Sequence, residues 1–244
     1  MLFRSSRPML PLEPRVPSNL NPFARELLEM LRGQPAARHI ILGGGVALSH
    51  YHEYRETVDV DAWWVQVANE SESEQTVTLL RTAMRSLGER ESCDYSERTW
   101  GDTLSLELRR GSRKIFSFQI SKRDVELEPP RPAEWSPVQI EAFRDNLGAK
   151  MNALVERGAP RDFVDIATLC LAGIVTVEEC WTAWRDKGSR RDSEEAQFIV
   201  LRSLTDLEVR RPIERFNEPA AKQRAIAVRQ FIRSRLCVIG ERPA

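Results

Sequence analysis

Three consecutive glycines, Gly43, Gly44 and Gly45, constrain the fold of this chain more than any other feature. They follow a segment, Arg38 to Leu42, that we interpret as a strand, and they lead into a short helical segment from Val46. A glycine-rich turn between a strand and a helix lets backbone N–H groups approach phosphate oxygens, helped by the positive end of the helix. The turn therefore predicts a phosphate-binding loop at Gly44 and Gly45, with a flexible surface turn as the simpler alternative.

The segment after this turn carries acidic residues at alternate positions. Val58, Val60 and Ala62 alternate with Thr57, Asp59 and Asp61. A period of two is typical of a strand, and it places Asp59 and Asp61 on one face, roughly 6.5–7 Å apart at Cα. Mg²⁺ and Mn²⁺ prefer carboxylate oxygens, and Mg²⁺ completes its shell with water and substrate phosphates. We therefore predict a metal site here, and phosphoryl or nucleotidyl transfer by the turn and strand together.

Two separated motifs resemble the AbiEii/AbiGii-type nucleotidyltransferase toxins, members of the DNA polymerase beta-like nucleotidyltransferase superfamily. The first motif combines the glycine turn with the acidic strand: Gly44-Gly45-x-Ala-Leu, then Arg55-x-Thr57-x-Asp59-x-Asp61. The second joins a Lys-containing helix to an Arg-Asp-aromatic-x-Asp segment: Asp145 to Leu154 with Lys150, then Arg161-Asp162-Phe163-Val164-Asp165. Two motifs in the family's order are more specific than either motif alone.

The resemblance implies a set of site residues and ligands. Catalytic roles are implied for four residues: Asp59, Asp61, Lys150 and Asp165. Nucleotide binding is implied for five: Gly44, Gly45, Arg55, Thr57 and Lys150. The cofactor would be Mg²⁺ or Mn²⁺, bound by Asp59 and Asp61, and the substrate a nucleoside triphosphate. Such toxins belong to type IV toxin–antitoxin or phage-defence pairs, and some add nucleotides to tRNA, so an RNA acceptor and an antitoxin are the expected partners.

The sequence departs from the superfamily pattern at two places. Many of these enzymes have a third metal-binding acid on the adjacent strand, where this chain offers only Ser117 or Gln119. Either Glu107 or Asp165 completes the metal site, or the site uses two carboxylates. The second departure is Val46, because a hydroxyl residue commonly follows the glycines in the superfamily.

Lys150 and Asp165 lie in two predicted helices. The first spans 138–157, and the second starts near Arg161. The short turn between them makes the helices nearly antiparallel, so the two side chains are able to converge. Lys150 would then supply positive charge for a triphosphate. Asp165 would bind metal, hold Lys150 or act as a general base. A purely structural salt bridge is the alternative.

Composition restricts the class of protein without choosing a partner. The charges of the 36 basic and 36 acidic residues among the 244 cancel. Overall charge therefore argues neither for nor against a nucleic-acid partner. Local basic clusters, 109–114 and 185–191, are candidates for phosphate contacts. Four widely spaced cysteines argue against a zinc site or disulfide framework. No apolar run is as long as that of a signal peptide or a membrane span, so we expect a soluble, cytoplasmic protein with no membrane contact.

The order of the segments predicts an α/β (α+β) fold with a small mixed sheet followed by a helical bundle. We predict an extended proline-rich arm at 1–18, a nucleotidyltransferase domain at 19–132 and a helical domain at 133–244 that contributes to the active-site cleft. Asn21 should cap a helix with Pro22 in its first turn. A helix over 71–88 should end at Gly88, and a hairpin should place 114–121 beside the acidic strand. Phe198 and Val200 are predicted core residues.

The function that these patterns favour is a metal-dependent nucleotidyltransferase acting as the toxin of such a pair. Two alternatives stay open. One is a transferase that modifies a small molecule such as an aminoglycoside antibiotic. The other is a non-catalytic nucleotide- or RNA-binding module, favoured by the missing strand acid and by Val46.

Overall fold

A computed structural model describes residues 12–65, 69–123, 125–189 and 191–238. Most of the predicted arm, residues 1–11, lies outside this part of the chain. The fold consists of two compact units that divide between Asn146 and Leu147. None of the described helices is long and apolar enough to cross a membrane.

The first unit is built on one mixed sheet. The strands are β1 (Ile40–Gly43), β2 (Asp59–Trp64), β3 (Asp94–Trp100), β4 (Thr103–Arg110), β5 (Arg113–Ser121) and β6 (Gln139–Ile140). Within the described residues their order is β3-β4-β5-β2-β1-β6. The strand β2 runs antiparallel to β1 and parallel to β5. The predicted β4–β5 hairpin is therefore confirmed, and β5 lies beside the acidic strand.

The two faces of this sheet differ in character because side chains alternate along each strand. One face carries buried apolar residues, among them Val60, Leu106 and Phe118. They pack against the apolar sides of α1 (Pro22–Leu31) and α3 (Glu70–Arg90). The short helix α2 (Gly44–Ser49) follows β1 directly. The opposite face carries Asp59 and Asp61, so the core positions the acidic residues on the side away from α1 and α3.

The helices of the first unit follow the predicted patterns with one correction. As predicted, Asn21 caps α1, since its side chain accepts a hydrogen bond of 3.0 Å from the backbone N–H of Phe23. The prediction that Gly88 ends α3 is wrong, because that helix continues to Arg90. A Cβ on Gly88 would lie only 3.0 Å from Leu108 Cδ2 and 3.1 Å from the Cys93 carbonyl oxygen. The glycine therefore allows the helix to approach the sheet closely.

The predicted helix 138–157 begins later than expected. Residues 139–140 form β6, which pairs in parallel with β1, and the helix α4 spans Phe143–Glu156. The Glu141 N–H donates to the Leu42 carbonyl at 2.8 Å, which continues this attachment to the sheet. Sheet pairing thus extends beyond residue 132, where the sequence predicted the domain boundary, and the compact units divide within α4.

The second unit contains the remainder of α4 and further helices. These are α5 (Pro160–Leu171), α6 (Val177–Asp186), α7 (Ser193–Arg210) and α8 (Pro219–Phe231), which ends in a π-helical turn (Ile232–Leu236). Among the described residues of this unit there is no strand, so the predicted α+β fold is confirmed. Val200 is buried as predicted, but Phe198 is 60% exposed. Two residues along a helix turn by about 200°, which places Phe198 on the outer side of α7.

Candidate active site

The glycine turn fits directly against one of the acidic side chains. Gly43 is the partner of Asp61 in the β1–β2 pairing, and the next residue, Gly44, has a φ of +58°. A Cβ on Gly44 would overlap the Asp61 carboxylate oxygen Oδ2. Glycine is therefore required at position 44 for two reasons, the left-handed backbone and the space that the carboxylate occupies. The backbone of the turn and the Asp61 carboxylate form one compact surface.

Two further predicted residues lie at the next position of the turn. A Cβ on Gly45 would be 3.1 Å from Thr57 Oγ1 and 3.4 Å from the Arg55 guanidinium nitrogen Nη2. The Thr57 hydroxyl donates to the Asp59 carbonyl oxygen at 3.1 Å, which fixes the chain as it enters β2. The structure therefore brings a guanidinium, a hydroxyl and the glycine backbone together beside the acidic strand.

Asp59 binds two donors from β5. Its carboxylate oxygen Oδ1 lies 2.8 Å from the Lys114 ammonium and accepts a hydrogen bond of 2.7 Å from the Ser117 hydroxyl. Ser117 and Gln119 are the register partners of Asp59 and Asp61. The two uncharged residues that the sequence offers in place of a third acid therefore lie directly beside Asp59 and Asp61.

Lys114 is a residue that sequence reasoning missed. Strict alternation would place it on the face opposite Ser117, three positions later. The β4–β5 register shifts by one residue, because Leu108 pairs with Phe116 whereas Arg109 pairs with Lys114. The extra residue, Ile115, forms a bulge in β5, and such bulges change the face toward which neighbouring side chains point. The bulge explains why the ammonium reaches Asp59.

Among the described residues, no third carboxylate forms a metal-binding group with Asp59 and Asp61. Within the described residues no group of three His, Cys, Asp or Glu side chains is suited to hold a metal ion. Glu107, one of the predicted candidates, instead forms an ion pair of 3.0 Å with Arg109. Glu107 lies on the same face as Asp59, because both residues are register partners of Ser117, but its carboxylate is engaged by Arg109.

The first two residues of the second motif, Asp145 and Asn146, belong to the first unit, and Asn146 contacts the glycine turn. Asn146 is fully buried, and its amide nitrogen donates to the Gly44 carbonyl at 3.0 Å and to Glu141 Oε2 at 2.9 Å. The buried Asp145 accepts hydrogen bonds from the N–H groups of Leu127 and Glu128 at 2.9 Å and 2.8 Å. The contact between Asn146 and Gly44 links the two sequence motifs, and nothing in their spacing indicated it.

In the second unit, Lys150 and Asp165 form an ion pair of 2.7 Å. The exposed fractions of their side chains are 9% and 0%. Asp162 has a separate role, because its carboxylate accepts from the Ala159 N–H at 3.0 Å and from Arg157 at 2.8 Å. It is therefore the acid of the first turn of α5.

The match to a family model decides the relationship. The model described as "Nucleotidyl transferase AbiEii toxin, Type IV TA system" matches residues 26–234. The chain belongs to the AbiEii family. The resemblance predicted from the two motifs is thereby confirmed, and the match includes both compact units of this AbiEii-family chain. Among curated proteins none matches it.

The donor set of this AbiEii-family chain fits a small divalent cation. Asp59 and Asp61 would supply oxygen ligands from one face of β2, and the absence of a side chain on Gly44 makes room for the Asp61 carboxylate beside the turn. Mg²⁺ and Mn²⁺ use one or two carboxylates of this kind and complete their shells with water and phosphate oxygens. When bound there, such an ion would supply Lewis-acid chemistry for a phosphate group.

Proposed function

We propose that this AbiEii-family chain is a metal-dependent nucleotidyltransferase and the toxin of a type IV toxin–antitoxin pair. It would transfer a nucleoside monophosphate from a nucleoside triphosphate to an RNA acceptor such as tRNA. The observation that carries the proposal is the contact of the glycine turn with Asp61, Thr57 and Arg55 at the edge of the acidic strand. A phosphate cradle and carboxylates for a metal are the two parts that nucleotidyl transfer needs.

The proposal assigns a role to each residue of the first unit. Asp59 and Asp61 would hold the metal ion. Gly44 and Gly45 lack side chains, so phosphate oxygens are able to approach the backbone of the turn. The Arg55 guanidinium, which lies beside Gly45, would neutralise phosphate charge.

Lys150 and Asp165 receive complementary roles. Lys150 would supply a positive charge for the nucleotide phosphates, as the family motif implies. Asp165 would fix the position of the lysine ammonium, because its fully buried carboxylate lies 2.7 Å from Nζ. A buried charge pair costs more in desolvation than a well-packed apolar pair, which favours a role beyond stability.

The first experiment measures transfer of α-labelled phosphate from each of the four nucleoside triphosphates to total tRNA in the presence of Mg²⁺. We expect labelled RNA with the wild-type chain, and a loss of at least about a thousandfold in Asp59→Ala and Lys150→Ala. Asp102→Ala is a matched control, because this aspartate is exposed and pairs only loosely with Lys122, at 3.6 Å. Label in Asp59→Ala equal to that of the wild type would refute the proposed site.

The non-catalytic alternative is favoured by one observation, the serine at the third-acid position. It predicts no label on any acceptor, and nucleotide or RNA binding that survives Asp59→Ala. Label that appears on an added aminoglycoside and not on RNA would instead identify a small-molecule acceptor. Expression that leaves growth unaffected without a partner gene would contradict the toxin assignment.

A further inference from the structure

The Asp59 carboxylate already holds a cation. Its oxygen Oδ1 accepts from both the Lys114 ammonium at 2.8 Å and the Ser117 hydroxyl at 2.7 Å, and these two donors lie 3.4 Å from each other. An oxygen that carries two donors has no further lone pair for a metal ion. A divalent cation that binds through this oxygen must therefore displace one of the two.

The two donors differ in how easily they leave. Ser117 is fully buried in β5, and its short side chain cannot turn away without losing its partner in the sheet. The Lys114 side chain is 37% exposed and ends a flexible four-carbon stem, so its ammonium is able to move into water. Lys114 is the donor that a metal ion would displace.

We propose that Lys114 is the resident counter-ion of Asp59 and competes with the catalytic metal ion for the same carboxylate. The proposal rests on the function proposed above, and it identifies a further positioning residue of that site. The bulge at Ile115 places the lysine there, beside the strand position that lacks a third acid. The Asp59 carboxylate thus already has a cationic partner, and it should bind a free divalent cation more weakly than it would without the lysine.

The test measures binding of Mn²⁺ alone to the full-length chain by electron paramagnetic resonance of the free ion. Lys114→Met removes the charge and keeps the length of the side chain, and we expect it to bind Mn²⁺ about tenfold more tightly than the wild type. Lys114→Arg keeps the charge and should bind as the wild type does. Lys122→Met is the control for charge alone, because this lysine follows the last residue of β5, is 70% exposed and pairs with Asp102.

Each outcome separates the role of Lys114 from the proposed function. Equal or weaker Mn²⁺ binding by Lys114→Met, with Asp59→Asn unable to bind, would refute competition and leave the metal site intact. An equal gain in Lys122→Met would show a general charge effect and would also refute the proposal. If neither the wild type nor Lys114→Met binds millimolar Mn²⁺, or if Asp59→Asn binds as well as both, the proposed metal site itself fails. Thermal unfolding in EDTA verifies that each variant is folded.

Discussion

Two lysine–aspartate pairs lie among the candidate residues, and they differ in their access to water. In the first unit, Lys114 and Asp59 are 2.8 Å apart with exposed fractions of 37% and 22%. In the second unit, Lys150 and Asp165 are 2.7 Å apart with exposed fractions of 9% and 0%. The same chemical pair is therefore exchangeable in one place and fixed in the other.

The difference follows from the cost of separating the charges. A partly exposed lysine that leaves its carboxylate is solvated by water, so the exposed pair contributes little to stability and is easily replaced by another cation. A buried lysine has no such alternative, and breaking the pair leaves an uncompensated charge in the interior. This difference supports the proposed roles, in which Asp59 would bind exchangeable ligands and Asp165 would fix the position of one lysine.

The largest expected effect on stability is that of Asp165→Ala. Because this change leaves the Lys150 ammonium buried and unpaired, we expect the free energy of unfolding to fall by about 3–5 kcal/mol. Asp59→Ala should change it by no more than about 1 kcal/mol, since the released lysine reaches water. Urea denaturation followed by circular dichroism measures both values.

A double variant controls this prediction. Replacing both partners, Lys150→Met with Asp165→Leu, removes the charge and the aspartate together and should recover most of the lost stability. Nucleotidyl transfer should remain absent in the double variant, because its lysine is gone. An Asp165→Ala chain as stable as the wild type would contradict the comparison between the two pairs.

The next largest effect is expected at Gly44, in the glycine turn beside Asp61. Gly44→Ala forces a Cβ into a left-handed residue and against the Asp61 carboxylate, so we expect a loss of about 2–3 kcal/mol together with the loss of Mn²⁺ binding. Gly101→Ala is the matched control. Gly101 also has a positive φ, of +53°, but a Cβ there meets no atom within 4 Å, so only the backbone cost of about 1 kcal/mol remains. Equal losses in both variants would show that contact with Asp61 has no consequence.

Local patterns in the sequence were sufficient to predict much of this fold. The alternation around Asp59 and Asp61 gave their common face, and the cap at Asn21 gave the start of α1, because both depend on neighbouring residues only. Strand β6 could not be predicted, since two residues are too few to show a period and its pairing with β1 depends on distant residues. Phe198 illustrates a related limit, because an apolar residue on a helix does not reveal which side faces the core.

The candidate site shows the same division between local and long-range information. The motifs identified the acidic strand, Lys150 and Asp165, whose 2.7 Å separation agrees with the short turn between their helices. Lys114 and Asn146 depended on features that no local pattern contains. One required the bulge at Ile115, and the other required the hydrogen bond from the Asn146 amide to the Gly44 carbonyl, 102 positions earlier in the chain.

The smallest expected effect is the coupling energy of the exposed pair. A double-mutant cycle of Asp59→Asn and Lys114→Met should give about 0.2–1 kcal/mol, and raising the salt concentration should reduce this value because mobile ions screen exposed charges. The corresponding cycle of Lys150→Met and Asp165→Leu should give a larger energy, about 2 kcal/mol or more, that changes little with salt. Cycles of equal size and equal salt dependence would mean that exposure does not decide how firmly each lysine is held. A small, salt-sensitive coupling at Asp59 is what a metal ion needs in order to replace Lys114, so this measurement links the stability of the pair to its proposed exchange.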